Sequence, residues 1–365
     1  MNREINREMS RKMNNEINEV INGDIHYVAA LPLPWEKLEG KTVLISGASG
    51  MIGSFLVSVL MARPENIRII GIGRDMEKAR KRFARYWERP DFLFLSHDMN
   101  QPLSLDERAD FIIHAASNTH PAAYSADPIG TMTTNLLGTL NLLEFAAAWG
   151  NCRFLFASSV EVYGENRGDQ KYFDEAYCGY IDCNTARAGY PESKRAGEAL
   201  CQSYIRQKGV DAVIARLSRT YGPTMLLSDT KAVSQFLKKG AAGEDIVLKS
   251  AGNQLYSYSY VADAVSGLLT VLFKGECGQA YNIADTNSDI TLKELSAMIA
   301  EKSGTKVVFE LPDAREAAGY STATTALMDG RKIKGLGWQA HWDMEQGVER
   351  TLKCLQVRMK EEAGA

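Results

Sequence analysis

The chain predicts a doubly wound α/β fold: a parallel sheet with helices on both faces, followed by a smaller mixed α/β region toward the C-terminus. Three observations carry that prediction. Short apolar strands alternate with helical patterns from residue 41 to about residue 222. A glycine-rich turn joins the first strand to the first helix. Past Gly222 the alternation loosens into longer irregular stretches.

Taken in order, residues 1–40 form a leader unlike the rest. Apolar residues at Ile5, Met9, Met13, Ile17, Val20 and Ile21 recur every three or four positions, which suits an amphipathic helix. The charge between them favours a frayed surface helix over one docked on the body or a partner. Leu31-Pro32-Leu33-Pro34 ends it. Strands are expected at Thr42–Ser46, Ile67–Ile72, Phe92–Leu95, Phe111–His114 and Phe154–Ser158, and helices over Ile52–Met61 and Asn135–Trp149. Later, Thr291–Ser303 reads as a helix capped by Thr291 or Asp289, while Val213–Leu217 and Ala280–Ile283 suit a return to the main sheet. The expected organisation is therefore a helical leader (1–40), a dinucleotide-binding domain with the catalytic residues (41–222), a mainly substrate-binding region interleaved with the same sheet (223–355), and a tail (356–365).

Composition narrows the function. Of 365 residues, 45% are hydrophobic and 24% charged, which is ordinary for a globular protein. A net charge of -3, with no basic patch carrying interleaved aromatics, gives no reason to expect nucleic acid. No apolar run is long enough for a bilayer, and Met1–Val20 lacks the apolar core of a signal peptide. A cytoplasmic enzyme with no membrane partner is expected. Among the six cysteines only Cys178 and Cys183 are close, and no second pair or histidine completes a zinc site. Free thiols and no metal are therefore expected.

The turn Gly47-Ala48-Ser49-Gly50-Met51-Ile52-Gly53 has the chemistry of a dinucleotide site, the signature of a Rossmann fold. Its glycines permit a tight turn and let the backbone approach a pyrophosphate, to which the helix N-terminus offers amide donors. Gly47, Ser49, Gly50, Met51, Ile52 and Gly53 are candidate cofactor residues. After the second strand a carboxylate would hold the adenosine ribose of NAD; Gly73-Arg74-Asp75 stands there instead. Arg74 would attract the 2′-phosphate of NADP, or Asp75 takes the ribose and Arg74 is solvated. Asp98 and Met99 after the third strand, and Ala115 after the fourth, complete the cofactor set.

Tyr190 and Lys194, in Tyr190-Pro191-Glu192-Ser193-Lys194, lie four apart and so on one helix face. An adjacent ammonium favours the phenolate, making Tyr190 a base toward a sugar hydroxyl; Lys194 also reaches the nicotinamide ribose. Ser159, at a strand's carboxyl edge, is placed to bond the same hydroxyl. Two positions on, Glu161 is a carboxylate that a simple alcohol dehydrogenase does not need, but that water elimination, proton transfer beside a ketone or loss of carboxylate would use.

With these motifs in hand, the chain resembles the extended short-chain dehydrogenases, the NAD-dependent epimerases and dehydratases of sugar nucleotides. The resemblance runs from Lys41 to Leu355 and is most similar in pattern to the UDP-glucuronate decarboxylases. It includes His114-Ala115-Ala116-Ser117, the stretch 121–134 with Tyr124, Ser158–Gly164, Tyr190–Glu198, Thr220-Tyr221-Gly222-Pro223 and Leu336-Gly337-Trp338. It implies a bound nicotinamide that oxidises the sugar at C4, with Tyr190 as base, Lys194 as its partner, Ser159 on the C4 oxygen and Glu161 as the catalytic glutamate. It implies substrate contacts at Ser117, Tyr124, Arg219 and Tyr256, and a homodimer joined through four helices.

The chain also departs from the pattern. Val160 replaces the dehydratase aspartate, which argues against a 4,6-dehydratase. Arg219 stands where decarboxylases have Asn, and Thr224 and Tyr256 where they have Arg; Ala317–Ser321 replaces their late phosphate-gripping stretch. The leading expectation is a sugar-nucleotide epimerase or decarboxylase with internally recycled NAD. An NADPH-dependent carbonyl reductase of a sugar phosphate or related ketone is the alternative, and a cofactor-binding module without catalysis the third reading.

Overall fold

The protein is described from a computed structural model that covers residues 19–119, 126–185, 187–310 and 324–364. Its frame is a seven-stranded sheet formed by β1 (Thr42–Ser46), β2 (Arg68–Gly73), β3 (Phe92–Ser96), β4 (Phe111–His114), β5 (Arg153–Ser159), β6 (Asp211–Leu217) and, much later, β10 (Ala280–Ile283). The order is β10-β6-β5-β4-β1-β2-β3, and every pair is parallel. Strand order reverses between β1 and β4, so their carboxyl ends open a crevice.

The near-continuous apolar strands follow from burial on both faces. Val43 and Ile45 point into one core layer and Leu44 into the other. Helices α2 (Met51–Met61) and α7 (Val261–Lys274) fill the first layer; α4 (Pro128–Trp149) and α5 (Gly189–Lys208) fill the second. Each fully buried aliphatic side chain contributes about 1.5–3 kcal/mol. Trp338 of the late Leu-Gly-Trp signature is core: its indole N–H donates to Ser266 Oγ at 2.9 Å.

A second sheet lies beside this frame. β9 (Leu255–Tyr260) is its centre, pairing with β11 (Asp289–Thr291), with β13 (Thr325–Ala326) and with β7 (Arg219–Tyr221). β7 leaves directly from the end of β6, so one continuous segment passes from the cofactor sheet into the second sheet and carries Arg219 with it. A two-stranded pair, β8 (Ile246–Leu248) with β12 (Val307–Phe309), completes this side. The C-terminal half also carries helices α6 (Ala232–Ala242) and α9 (Arg331–Lys334).

Several elements differ from expectation. Helix α4 begins seven residues before Asn135, because Asp127 caps it by accepting from Gly130 N at 2.9 Å and Pro128 fits the first turn. Helix α3 (Met76–Arg82) was not foreseen; Asp75 caps it through Lys78 N at 2.9 Å. Thr291, not Asp289, caps α8 (Leu292–Ser303), in a reciprocal capping box with Glu294. Asp289 accepts the Ser257 hydroxyl at 2.5 Å instead.

The first part of the leader lies outside the described residues. Its described part begins with a docked helix, α1 (19–29). Ile25 and Val28 are buried in the core, and Asp24, fully buried, accepts from Tyr260 Oη at 2.6 Å and pairs with Arg350. That pull comes from residues more than 230 positions away, which no local pattern displays. Arg350 lies on the last helix, α10 (Met344–Gly364), which runs through the 355/356 boundary.

Candidate active site

The turn between β1 and α2 is as close-packed as its glycines require. Gly47 has φ of +71°, and a Cβ there would sit 2.7 Å from Ala116 N. A Cβ on Gly53 would meet Gly47 O at 2.3 Å. The N-terminus of α2 has no side-chain cap, since Gly50 occupies the N-cap. Its amides therefore face a cleft of about 1150 Å³ lined by Gly47, Ser49, Gly50, Met51, Ile52 and Gly53. This cradle fits a pyrophosphate.

Of the other expected cofactor residues, Arg74, Asp98, Met99, Ala115 and Tyr190 lie along the same cleft, whereas Lys194 is not among its lining residues. Asp98 also turns its own loop, accepting from Asn100 N at 3.0 Å. Arg74 is exposed, and among the described residues its side chain reaches only Asn118 Oδ1, at 3.5 Å. Asp75, the acid offered for the ribose, uses Oδ1 for the α3 cap.

Beneath the cleft a buried polar row fixes β4 against β1 and α4. His114 is fully buried between Ser46 Oγ (2.7 Å from Nδ1) and Thr139 Oγ1 (3.1 Å from Nε2). Burial pushes its pKa down to about 3, so it is neutral and structural. Asn135 accepts from Ser117 Oγ at 2.7 Å and donates to Ser193 Oγ at 2.8 Å. Asn135 thereby ties the floor of the cleft to α5, the helix bearing Tyr190 and Lys194.

Tyr190 is buried, and its hydroxyl is hydrogen-bonded to Ser159 and Ser117. Burial pushes its pKa up to about 12; the two serines work against that, and the charge of Glu161 adds to it. Lys194 is equally buried, but its Nζ donates to Ala157 O at 2.8 Å and lies 4.8 Å from the centre of the Phe156 ring. Burial lowers its pKa to about 8, with Glu198 acting in the opposite direction. The expected lowering of Tyr190 by Lys194 is thus not met in this arrangement. Helical spacing brings the two onto one face, but the ammonium is bound to a strand carbonyl and burial of the phenol outweighs it.

The adjacent serines divide. Ser158 donates to Glu198 Oε1 at 2.5 Å, joining a half-buried pair in which Arg216 holds Glu198 at 2.7 Å, whereas Ser159 faces Tyr190. Glu161, one turn on, donates its N–H to Ser159 Oγ at 3.3 Å. Its carboxylate is held by Arg219 at 3.2 Å and approached by Arg187 at 3.9 Å. The Arg219 guanidinium carbon lies 3.6 Å from the centre of the Tyr256 ring. Ser117, Arg187, Arg219 and Tyr256 all line the cleft; Tyr124 lies outside the described residues. Arg187 and Asn135 were missed. Nothing in their neighbourhoods marks them, although Asn135 opens the Asn-Leu-Leu-Gly stretch on an otherwise apolar helix. Among the described residues no cluster of His, Cys, Asp or Glu could hold a metal ion.

With this geometry in place, the sequence profile of the NAD dependent epimerase/dehydratase family matches residues 43–284. The chain belongs to that family. UDP-glucuronic acid decarboxylase 1 of Xenopus tropicalis is 31% identical over 327 residues, spanning 88% of this chain and 74% of that protein. UDP-glucuronic acid decarboxylase 5 of Arabidopsis thaliana is 34% identical over 259 residues, 71% of this chain and 74% of that protein. In fold, the chain is similar to UDP-glucuronic acid 4-epimerase from Bacillus cereus, solved with UDP-glucuronic acid and NAD. That match has a TM-score of 0.74 and 20% identity, and covers 87% of this chain and 99% of that one. The family makes the chain an enzyme with NAD as its cofactor, and the glycine cradle and its cleft suit that cofactor.

Proposed function

We propose that this enzyme oxidises a nucleotide-bound sugar transiently at C4, and that the sugar is a hexuronic acid which then loses its carboxyl group. The observation that carries this reading is the meeting of Ser159 and Tyr190 at the cleft edge, with Lys194 one helical turn away and Glu161 on the same rim. The decarboxylases among its relatives, at 31% and 34% identity, supply the substrate class.

The α2 cradle would hold NAD and Lys194 would bond its nicotinamide ribose; bound there, the dinucleotide would supply the hydride acceptor for C4. Tyr190 takes the proton of the C4 hydroxyl. Its bonds to Ser159 and Ser117 stabilise the phenolate against the cost of burial. A ketone at C4 makes the C6 carboxylate a β-keto acid: the C5–C6 bond breaks, CO2 leaves, and the electron pair passes toward the C4 oxygen. Ser159 holds that oxygen. Glu161 stands beside it to relay a proton from water to C5, and Tyr190 gives its proton back when the ketone is reduced.

Other parts of the reading rest on smaller observations. Arg74, exposed at the end of β2, extends cofactor use to NADP. Ile129, Met132 and Leu137, exposed on α4, support a homodimer through helices of that face. Six free cysteines suit a reducing cytoplasm, and among the described residues no helix is long and apolar enough to cross a membrane.

The direct test is to incubate the purified enzyme with UDP-glucuronic acid and identify products by NMR and mass spectrometry. A nucleotide-linked pentose with one equivalent of CO2 supports the proposal. A six-carbon epimer would move the reaction to epimerisation, and unchanged substrate would refute both.

A further inference from the structure

Arg219 carries more binding capacity than the protein uses. Its Nη2 donates to Glu161, while Nη1 is buried without a hydrogen-bond partner among the described residues. An unmet buried donor on a charged group is costly, and in a cleft it marks a place built for an acceptor that arrives with a ligand. The guanidinium is also held still. It lies 3.6 Å from the centre of the Tyr256 ring, and strand pairing fixes its backbone: Arg219 is in register with Tyr258, two residues along β9 from Tyr256. A cation clamped flat on an aromatic face keeps its edge donors in one plane, the geometry that meets a carboxylate.

Position selects among anions. Arg219 touches Glu161, whose N–H donates to Ser159 Oγ, so Arg219 sits beside the atoms that receive the C4 oxygen. In a hexuronic acid the carboxyl carbon is two bonds from C4, whereas the diphosphate hangs on C1, across the ring. Arg187, 3.9 Å from the other Glu161 oxygen, keeps that carboxylate accompanied when Arg219 turns part of its fork to a ligand.

Resting on the proposed decarboxylation of a nucleotide-bound hexuronic acid, we infer that Arg219, clamped on Tyr256, is the residue that selects an anionic sugar by holding its carboxylate beside the reacting carbon.

The test measures binding of UDP-glucuronic acid, UDP-glucose and UDP by calorimetry, with NAD present and with Tyr190→Phe in every protein so that no turnover intervenes. The protein with Arg219 intact should prefer UDP-glucuronic acid to UDP-glucose by about 10- to 100-fold. Arg219→Gln should erase that preference and leave UDP-glucose and UDP within about twofold of their former affinities. Tyr256→Phe, which keeps the ring, should retain it. If Arg219→Gln does not fold, Arg219→Lys, which keeps the charge but not the fork, should lose most of the preference. Equal weakening of all three ligands would put Arg219 on the diphosphate and overturn the inference, as would no weakening at all. Failure of the unsubstituted Arg219 protein to bind any of the three would refute the nucleotide-sugar reading itself, and this inference with it.

Discussion

The cofactor side and the sugar side of the cleft are built in opposite ways. The cofactor side is contiguous: Gly47 to Gly53 form the whole pyrophosphate cradle, and their contacts are backbone on backbone, down to 2.3 Å for a Cβ placed on Gly53. The proposed sugar side is assembled from Ser159 and Glu161 after β5, Arg187 before α5, Arg219 on β7 and Tyr256 on β9, spread over nearly 100 residues and two sheets. Sterics specify the first side and side-chain charge the second. Substitutions should therefore separate stability and cofactor binding on one side from turnover and selectivity on the other.

The largest separation is expected at Tyr190. Tyr190→Phe should lower kcat by about 100- to 10,000-fold while leaving the affinity for NAD unchanged, measured by steady-state rates and by calorimetry. Parallel loss of NAD binding would show that the two sides are not independent. On the cradle, Gly53→Ala forces a Cβ against Gly47 O, and should cost about 1–3 kcal/mol of stability and weaken NAD, read by chemical denaturation and titration.

Lys194 lies between the two sides and gives a pH signature. Its folded pKa near 8 is below the usual lysine value of 10.5. Between these values the unfolded chain holds a proton that the folded chain has shed, so the stability contributed by this group rises with pH across that window and is flat below it. Relative to Lys194→Met, the native enzyme should gain stability from pH 8 to 10 in denaturant melts; a constant difference would show the ammonium is not buried as described. The smallest effect is expected at Arg74, whose exposed side chain contacts Asn118 at 3.5 Å. Arg74→Gln should weaken NADP about 5- to 10-fold and leave NAD alone, by titration of each dinucleotide.

The same contrast explains what the sequence displays. The β1–turn–α2 unit, the parallel strands and the Tyr190–Lys194 pair are short-range patterns, readable because glycine sterics and the two periodicities act over a few residues. The role of the pair is not local. Lys194 binds Ala157 O and Tyr190 is held by serines from two other segments, so the charge relation expected from spacing alone was wrong. Asn135 and Arg187 acquire their places only when α4 and α5 pack and the loop before α5 meets Glu161. The docking of α1 through Asp24 depends on Tyr260 and Arg350, beyond any window of local reading.

The central claim is that oxidation at the sugar is transient and internal to the site. The measurement that tests it most directly is a single-turnover reaction of NAD-loaded enzyme with UDP-glucuronic acid, following reduced nicotinamide by absorbance. The account predicts a signal that rises and returns to its starting level within one turnover, with the dinucleotide recovered as NAD. Reduced nicotinamide that accumulates to one equivalent and stays would contradict it.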